Sequence, residues 1–183
     1  MKQALENDVQ YLRIGLGWDC GDNGGHDLDL AAFLLDGEEK IMGDDGVIFY
    51  NQAVYGDNAL VFAGDNTTGE GDGMDESIFV DLAKIPANVQ SLVFGVTFSH
   101  SQGQCQFGEV LNAEFAAARV TDQYDKGSDV FSRVNLSEDY PARSGMAVAK
   151  LSRTDGGWEY EETDEAADGG LEELCRRFGV NVE

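Results

Sequence analysis

Alternation of apolar and polar positions is the main pattern of the chain. In YLRIGLGW, the apolar residues Leu12, Ile14, Leu16 and Trp18 fall on one face of a predicted strand. The same period of two recurs in SIFVDL and SLVFGVTF, and shorter apolar or alternating runs are DLAAFLL, GVIFY, ALVFA, EFAAARV and DVFSRVNL. About ten such strands separated by Gly, Asp and Asn turns predict a β-sandwich or barrel rather than a βαβ fold.

The last forty residues carry a hairpin signal and a helix signal. The segment GMAVAKLSRTDGGWEYEE predicts a hairpin that turns at residues 154–157. After Gly169 and Gly170, apolar residues follow at i, i+3, i+4 and i+7, and Gly179 is placed to end the resulting helix. We expect this helix to pack over one end or face of the strands, and the absence of a linker or repeat predicts one domain over residues 1–183. The apolar positions of the helix are Leu171, Leu174, Cys175 and Phe178.

Composition and charge restrict the classes of ligand. A chain of 183 residues can bury a sizeable core without a cofactor or disulfides. With 35 Asp and Glu against 12 Lys and Arg, the formal net charge is −23, which repels nucleic acid and anionic membrane surfaces. Cations and basic partners are therefore the expected ligands.

Features of the termini and cysteines predict a soluble cytoplasmic protein. The first ten residues, MKQALENDVQ, lack the basic and apolar regions of a secretory signal, and the longest apolar run is residues 30–35, too short to span a membrane. The three cysteines Cys20, Cys105 and Cys175 are odd in number and contain no CxxC pair, as expected for a reducing compartment. We interpret them as small buried or half-buried side chains.

Acidic residues concentrate in glycine-rich turns, above all in WDCGDNGGHDLDL and GDNTTGEGDGMDE. Oxygen ligands at this density suit a hard divalent cation, and Ca²⁺ accepts six to eight of them in irregular geometry whereas Mg²⁺ prefers an octahedron. Glycines let the backbone turn its carbonyl oxygens inward. The turns therefore predict calcium binding, and the alternative is that the carboxylates only adapt the surface to salt or keep it soluble.

Residues 65–76 form a false match to an EF-hand loop. The segment is twelve residues long and runs from Asp to Glu, but Thr67 and Gly69 stand where side-chain ligands belong and Glu70 replaces the turn glycine. Its flanks ALVFA and SIFVDL alternate as strands, whereas an EF-hand needs helices. A calcium ion bound by this segment would lie at the rim of the strands and would also take ligands from another loop.

Other site chemistries have weaker signals. The acidic segment lacks the GK[ST] ending of a phosphate loop. His26 and His100 have no second ligand at zinc spacing, and we read His26 as a solvated loop residue. Residues 99–101 lack a nucleophile elbow, and carboxylates are too numerous for any one glycosidase pair to be informative. Trp18 and Trp158 are expected to be core or interface aromatics rather than a sugar platform.

Six short motifs follow one another along the chain: GLGWD, DLDLAAFLL, IFYN, GDNTTGEGDGMDE, FGEV and GGLEELCRRFGV. In this order and spacing, the chain from about residue 11 to the C-terminus resembles the TerD family of tellurium-resistance and general-stress proteins. The resemblance implies a β-sandwich of two antiparallel sheets with a short C-terminal helix. It also implies two calcium ions in acidic loops at one end, and no established enzymatic activity.

Carried over by matched position, the resemblance implies nine calcium ligands, with Asp19 close enough in sequence to contribute. Many family members have an Asp where this chain has Gly25, so one site is expected to bind more weakly or to use Asp22 or Asn23. Many also have Asp in place of Met74. The implied side-chain ligands are Asp27, Asp29, Asp65, Asn66, Asp72, Asp75 and Glu76, with backbone oxygens near Gly69 and Gly71.

Members of the family usually begin with an additional strand, which the present N-terminus does not match. The sandwich is therefore expected to have one edge that is open to another chain or covered by the N-terminal residues.

The resemblance implies a non-enzymatic cytoplasmic stress-response protein that acts as a scaffold or sensor through calcium-ordered loops. Its partners would be calcium ions and proteins of a stress-response complex, which would place it at the membrane only peripherally. Nucleic acid and direct membrane insertion are not expected. The alternative is a calcium-dependent carbohydrate- or phospholipid-recognition module; a glycoside hydrolase and thiol chemistry on tellurite are weaker hypotheses.

Overall fold

Two antiparallel sheets of six strands each stack face to face in the computed structural model, which describes residues 1–19, 26–64, 73–99, 105–122 and 129–182. The predicted mainly β fold is confirmed, and the two separate sheets make it a sandwich rather than a barrel. In spatial order, sheet A contains β1 (Lys2–Ala4), β12 (Gly157–Ala166), β11 (Gly145–Thr154), β8 (Ser91–Phe98), β3 (Leu28–Leu35) and β4 (Val47–Ile48). Sheet B contains β10 (Asp129–Asn135), β9 (Leu111–Val120), β2 (Tyr11–Asp19), β7 (Glu76–Asp81), β6 (Leu60–Ala63) and β5 (Val54–Tyr55). The helices are α1 (Leu136–Asp139) and α2 (Leu171–Arg177), with 3-10 turns at Asp44–Gly46, Leu82–Lys84 and Phe107–Glu109.

The main core lies between the sheets and follows the alternation seen in the sequence. The predicted inner residues of β2, from Leu12 to Trp18, are all buried there, and Trp158 lies in the same core. Each apolar side chain of this size removed from water contributes about 1.5 to 3 kcal/mol, so the alternating pattern supplies much of the driving force for stacking the sheets.

A second core covers the outer face of sheet A. Phe33 of β3 packs against Phe178 at the end of α2, with ring centroids 5.0 Å apart. Gly95 of β8 allows this contact, because a Cβ atom there would lie 2.5 Å from Leu174 Cδ1. Gly179 ends the helix with φ of +79°, as predicted. The continuous apolar run of β3 is therefore explained by burial on both faces.

The N-terminal residues cover one edge of sheet A. Strand β1 pairs with β12 from Glu159 to Glu161, and Lys2 forms an ion pair with Glu159 at 3.0 Å. Of the two alternatives that the sequence left open for this edge, coverage by the N-terminal residues is the one found.

Helix α1 was not predicted. The run DVFSRVNL was read as one strand, but β10 ends at Asn135, whose side-chain oxygen accepts a hydrogen bond from Glu138 N at 3.1 Å. Asparagine is a strong N-cap residue, and here it stops the strand and starts a helical turn. The hairpin between β11 and β12, by contrast, turns where it was predicted.

Side chains of β10 and β12 also join the two sheets. Ser132 Oγ lies 2.9 Å from the Tyr160 hydroxyl and donates to Glu162 Oε1 at 2.6 Å. Tyr160 is fully buried, and this burial raises the pKa of its phenol. The phenol therefore stays protonated in the folded state at a pH at which an unfolded tyrosine ionises.

We expect Tyr160→Phe to change the way in which the free energy of unfolding depends on pH in the alkaline range. At pH 7 the loss of the Ser132 contact lowers the free energy of unfolding by about 1 kcal/mol. Above about pH 10 the unfolded wild type releases the Tyr160 proton whereas the folded state keeps it, so wild-type stability falls as pH rises, and the variant falls less steeply. Urea unfolding between pH 7 and 11 measures both effects, with the exposed Tyr50→Phe as control. Equal alkaline slopes for wild type and Tyr160→Phe would contradict the prediction.

Candidate metal centre

The ends of β2, β3 and β7 meet at one end of the sandwich, which we call the acidic end. The two sheets come together there because Glu76 Oε2 of β7 accepts a hydrogen bond from Leu30 N of β3 at 2.8 Å. Asp75, immediately before β7, accepts from Trp18 N of β2 through Oδ2, also at 2.8 Å. Two successive carboxylates thus bond to strands of opposite sheets.

Glu76 crosses the interior of the sandwich. It shares the inner face of β7 with Ile78 and Val80, and only 1% of its surface is exposed. Strand β4 pairs with β3 only at Ala32 and Phe33, so the Leu30 amide lies beyond that pairing and donates to a carboxylate instead.

Trp18 links Asp75 to the segment before β3. Besides the bond from its amide to Asp75, its indole Nε1 donates to the His26 carbonyl oxygen at 2.8 Å. Asp75 N in turn donates to Leu16 O at 2.8 Å. His26 was expected to be solvated, but it is half-buried, and its ring meets the edge of Phe98 at 6.1 Å between centroids.

Asp27 and Asp29 lie at the start of β3 on the same acidic end. Asp29 is 9% exposed and pairs in register with Thr97 of β8, and the ladder continues because Ser99 N donates to Asp27 O at 2.9 Å. Since Leu28 and Leu30 point into the main core, Asp29 lies on the outer face of sheet A. Glu76 therefore approaches β3 from the inner side and Asp29 from the outer side.

The structure thus brings four of the nine predicted ligands to one end. Asp65, Asn66, Gly69, Gly71 and Asp72 lie outside the described residues, as do Gly25 and its substitutes. Within the described ranges, no three His, Cys, Asp or Glu side chains form a group that could hold a metal by themselves. The donors at this end are oxygen atoms, which fit a hard cation, and six to eight ligands require further oxygens beside these four residues.

A groove on the outer face of sheet B adjoins the acidic end and was missed by the sequence analysis. Its volume is about 420 Å³. A Cβ atom on Gly15 would lie 2.8 Å from Met74 Cγ, and one on Gly17 would lie 2.8 Å from Gly73 O. The segment just before Asp75 therefore rests directly on β2. The signal for this contact was present in the two glycines at outward positions of β2. The floor of the groove is Gly15, Gly17, Ala116 and Ala118, and charged residues around it are Arg13, Asp19, Glu114 and Arg133.

The described cysteines are poorly suited to thiol chemistry. Cys105 is half-buried and Cys175 is buried, as predicted, and Cys20 lies outside the described residues. Burial raises the pKa of both thiols, with a smaller contribution from a nearby glutamate in each case. Because the thiolate is the reactive form, a raised pKa lowers the reactivity of both at neutral pH.

The TerD domain model matches residues 2–178, which is nearly the whole chain. The chain belongs to the TerD family. It is 36% identical over 177 residues to tellurium resistance protein TerD of Serratia marcescens, covering 95% of this chain and 90% of that protein. General stress protein 16U of Bacillus subtilis (strain 168) is 34% identical over 173 residues, with 92% and 87% covered.

A solved structure supports the fold. The crystal structure of SAV2460, a protein of unknown function, superimposes with a TM-score of 0.78 at 19% identity and covers 95% of this chain and 99% of that one. At that identity the likeness concerns the fold alone. Within the described part of the chain, no helix has the length and apolar character needed to cross a membrane.

We expect Glu76→Ala to destabilise the protein by about 2 to 4 kcal/mol, because it leaves the Leu30 amide without its acceptor and opens a cavity between the sheets. Glu76→Gln keeps an acceptor oxygen and is expected to lose less than half as much. Urea unfolding in EDTA measures the effect without any contribution from metal. The matched control is Glu38→Ala at an exposed position, and equal losses in the two Ala variants would show that Glu76 does not join the sheets.

Proposed function

We propose that this member of the TerD family binds calcium at the acidic end of its sandwich and acts in the response to tellurite and other chemical stress as a scaffold or sensor, without catalysing a reaction. The observation that carries the proposal is the convergence of the Asp27–Asp29 segment and the Asp75–Glu76 pair at one end of the fold. These four residues come from the two acidic motifs of the sequence, and Asp29 and Asp75 are more than forty positions apart.

The hydrogen bonds at the acidic end favour cation binding rather than oppose it. A carboxylate that accepts one bond from a backbone amide has further lone pairs with which it can ligate a cation. The bonds from Trp18 and Leu30 fix Asp75 and Glu76 to rigid strands, which lowers the entropic cost of assembling a ligand set. A divalent cation would also offset repulsion in a chain whose net charge is −23.

The groove on sheet B gives the sensor role a physical basis. Gly73 and Met74 form part of its wall and directly precede Asp75. An ion that fixes Asp75 would therefore fix this wall and present a rigid surface to a protein partner. The groove also has balanced charges, two arginines and two carboxylates, in a strongly acidic chain. A protein would meet less repulsion there than elsewhere on the surface.

The relatives support the stress-response part of the proposal by their names, one a tellurium resistance protein and one a general stress protein. We propose a cytoplasmic location with peripheral attachment to membranes through partners. The net charge of −23 disfavours nucleic acid as a partner.

Calcium titration of the EDTA-stripped protein tests the proposal by thermal unfolding. A site saturated about a hundredfold above its Kd adds roughly 2.7 kcal/mol. For a domain of this size, each kcal/mol raises Tm by about 2 to 4 °C, so we expect a saturable rise of roughly 5 to 10 °C.

Matched magnesium and NaCl titrations are the controls, because a general charge effect would appear in them too. Asp72→Ala and Asp75→Asn are expected to weaken calcium binding at least about tenfold, whereas Asp155→Asn in an exposed turn is not. The calcium assignment would be wrong if NaCl alone reproduced the rise, or if both ligand variants bound calcium like the wild type.

The contact between the groove and the acidic end gives a separate prediction. In Gly17→Ala, the added methyl group would lie 2.8 Å from Gly73 O and must displace the segment before Asp75, so calcium affinity is expected to fall several-fold. Gly37→Ala is the matched control, because a Cβ there meets its nearest atom at 3.9 Å. Isothermal titration calorimetry of both variants with calcium measures the difference. Unchanged calcium affinity in Gly17→Ala would show that the groove does not influence the ion site.

A further inference from the structure

Thr97 of β8 is a buried residue whose hydroxyl lacks a hydrogen bond. Its surface is 1% exposed, and Oγ1 has no hydrogen-bond partner among the described residues. Buried hydroxyl groups nearly always have a partner, and an unsatisfied one destabilises the fold. A valine would fill the same volume in a strand without that cost, so the hydroxyl requires an explanation.

The position of Thr97 connects it to the acidic end. Thr97 pairs in register with Asp29, so both side chains lie on the outer face of sheet A with Cβ atoms about 5 Å apart. On its other side Thr97 pairs with Gly145 of β11, where an added Cβ would lie 3.3 Å from Thr97 Cγ2. The methyl group therefore lies on the β11 side, which leaves the β3 side, where Asp29 stands, to the hydroxyl.

The surroundings explain why Thr97 is shielded from water. The Ala167 carbonyl packs closely against Gly145, because a Cβ atom added to Gly145 would lie 2.4 Å from Ala167 O. Ala167 N also donates to Gly145 O at 2.9 Å. This segment leads from β12 into α2 and lies beside Thr97. Asp29 and the neighbouring Asp27, whose carbonyl accepts from Ser99 N, lie on the opposite side of Thr97, on β3.

We propose that Thr97 Oγ1 is a calcium ligand, and that one ion binds over the outer face of sheet A between β3 and β8, held by Thr97 together with Asp29 and Asp27. This inference rests on the proposed calcium function and adds to it a neutral ligand and a location. A hydroxyl oxygen is a suitable donor for a hard cation, and it adds no further repulsion to two adjacent carboxylates. The ion would supply the partner that the buried hydroxyl lacks.

Thr97→Val tests the role of the hydroxyl at constant shape. In EDTA we expect Thr97→Val to have a higher Tm than the wild type, because an unsatisfied buried group is removed. In calcium titrations its Kd is expected to rise about tenfold, because one ligand is lost. Thr97→Ser keeps the hydroxyl, and its calcium Kd is expected to stay within about threefold of the wild type.

Thr163→Val is the matched control, because Thr163 Oγ1 already donates to Ala147 O at 2.7 Å. This variant is expected to lower Tm in EDTA and to leave calcium affinity unchanged. The two Thr→Val substitutions thus have opposite effects on the metal-free protein, and only one of them affects the ion.

Methyl NMR on the wild type tests the contact without a substitution. With threonine methyl groups labelled, calcium is expected to shift the Thr97 signal strongly and the Thr163 signal little. If the wild type binds calcium but Thr97→Val binds it equally well, or if the Thr97 methyl signal does not respond, the ligand role is wrong and the proposed function stands. If the wild type shows no saturable calcium binding, both are wrong.

Discussion

The hydrogen bond between Glu76 and Leu30 is the constraint on which the acidic end depends. It places a carboxylate of sheet B inside the sandwich and ties it to the backbone of sheet A. Burying a carboxylate is costly unless it is hydrogen-bonded or paired, so this contact fixes the approach of β7 to β3. That approach brings Asp75 and Glu76 to the same end as Asp27 and Asp29, and Asp75 extends the connection to β2 through Trp18.

The predictable part of the fold was the part decided by local pattern. Alternation in β2, the turn between β11 and β12, and the spacing of α2 all depend on neighbours in sequence, and each was found as predicted. The pairing of β1 with β12 joins residues about 160 positions apart, and no local pattern reports it. Helix α1 was missed because an apolar run was weighed above the capping signal of Asn135.

The arrangement of the candidate ligands could not be predicted from the sequence. Four acidic residues predicted as ligands lie at one end, but Asp29 and Glu76 approach β3 from opposite sides. This division depends on the stacking of two sheets, which sequence spacing does not encode. Thr97 could not be predicted for a related reason. A threonine within SLVFGVTF is ordinary for a strand, and only the burial of its hydroxyl makes it unusual.

The short strand β1 has a consequence for how copies of the chain behave toward each other. It pairs with β12 only as far as Glu161, with one further backbone bond from Glu162 N to Met1 O, and within the described residues no strand pairs with this edge at residues 163–166. That stretch includes the exposed Asp164, and the Arg177 guanidinium pairs with Glu165 and donates to the Ala166 carbonyl. Charged side chains of both signs therefore occupy this stretch, and such side chains disfavour the pairing of sheet A with a strand of another chain where the N-terminal strand stops.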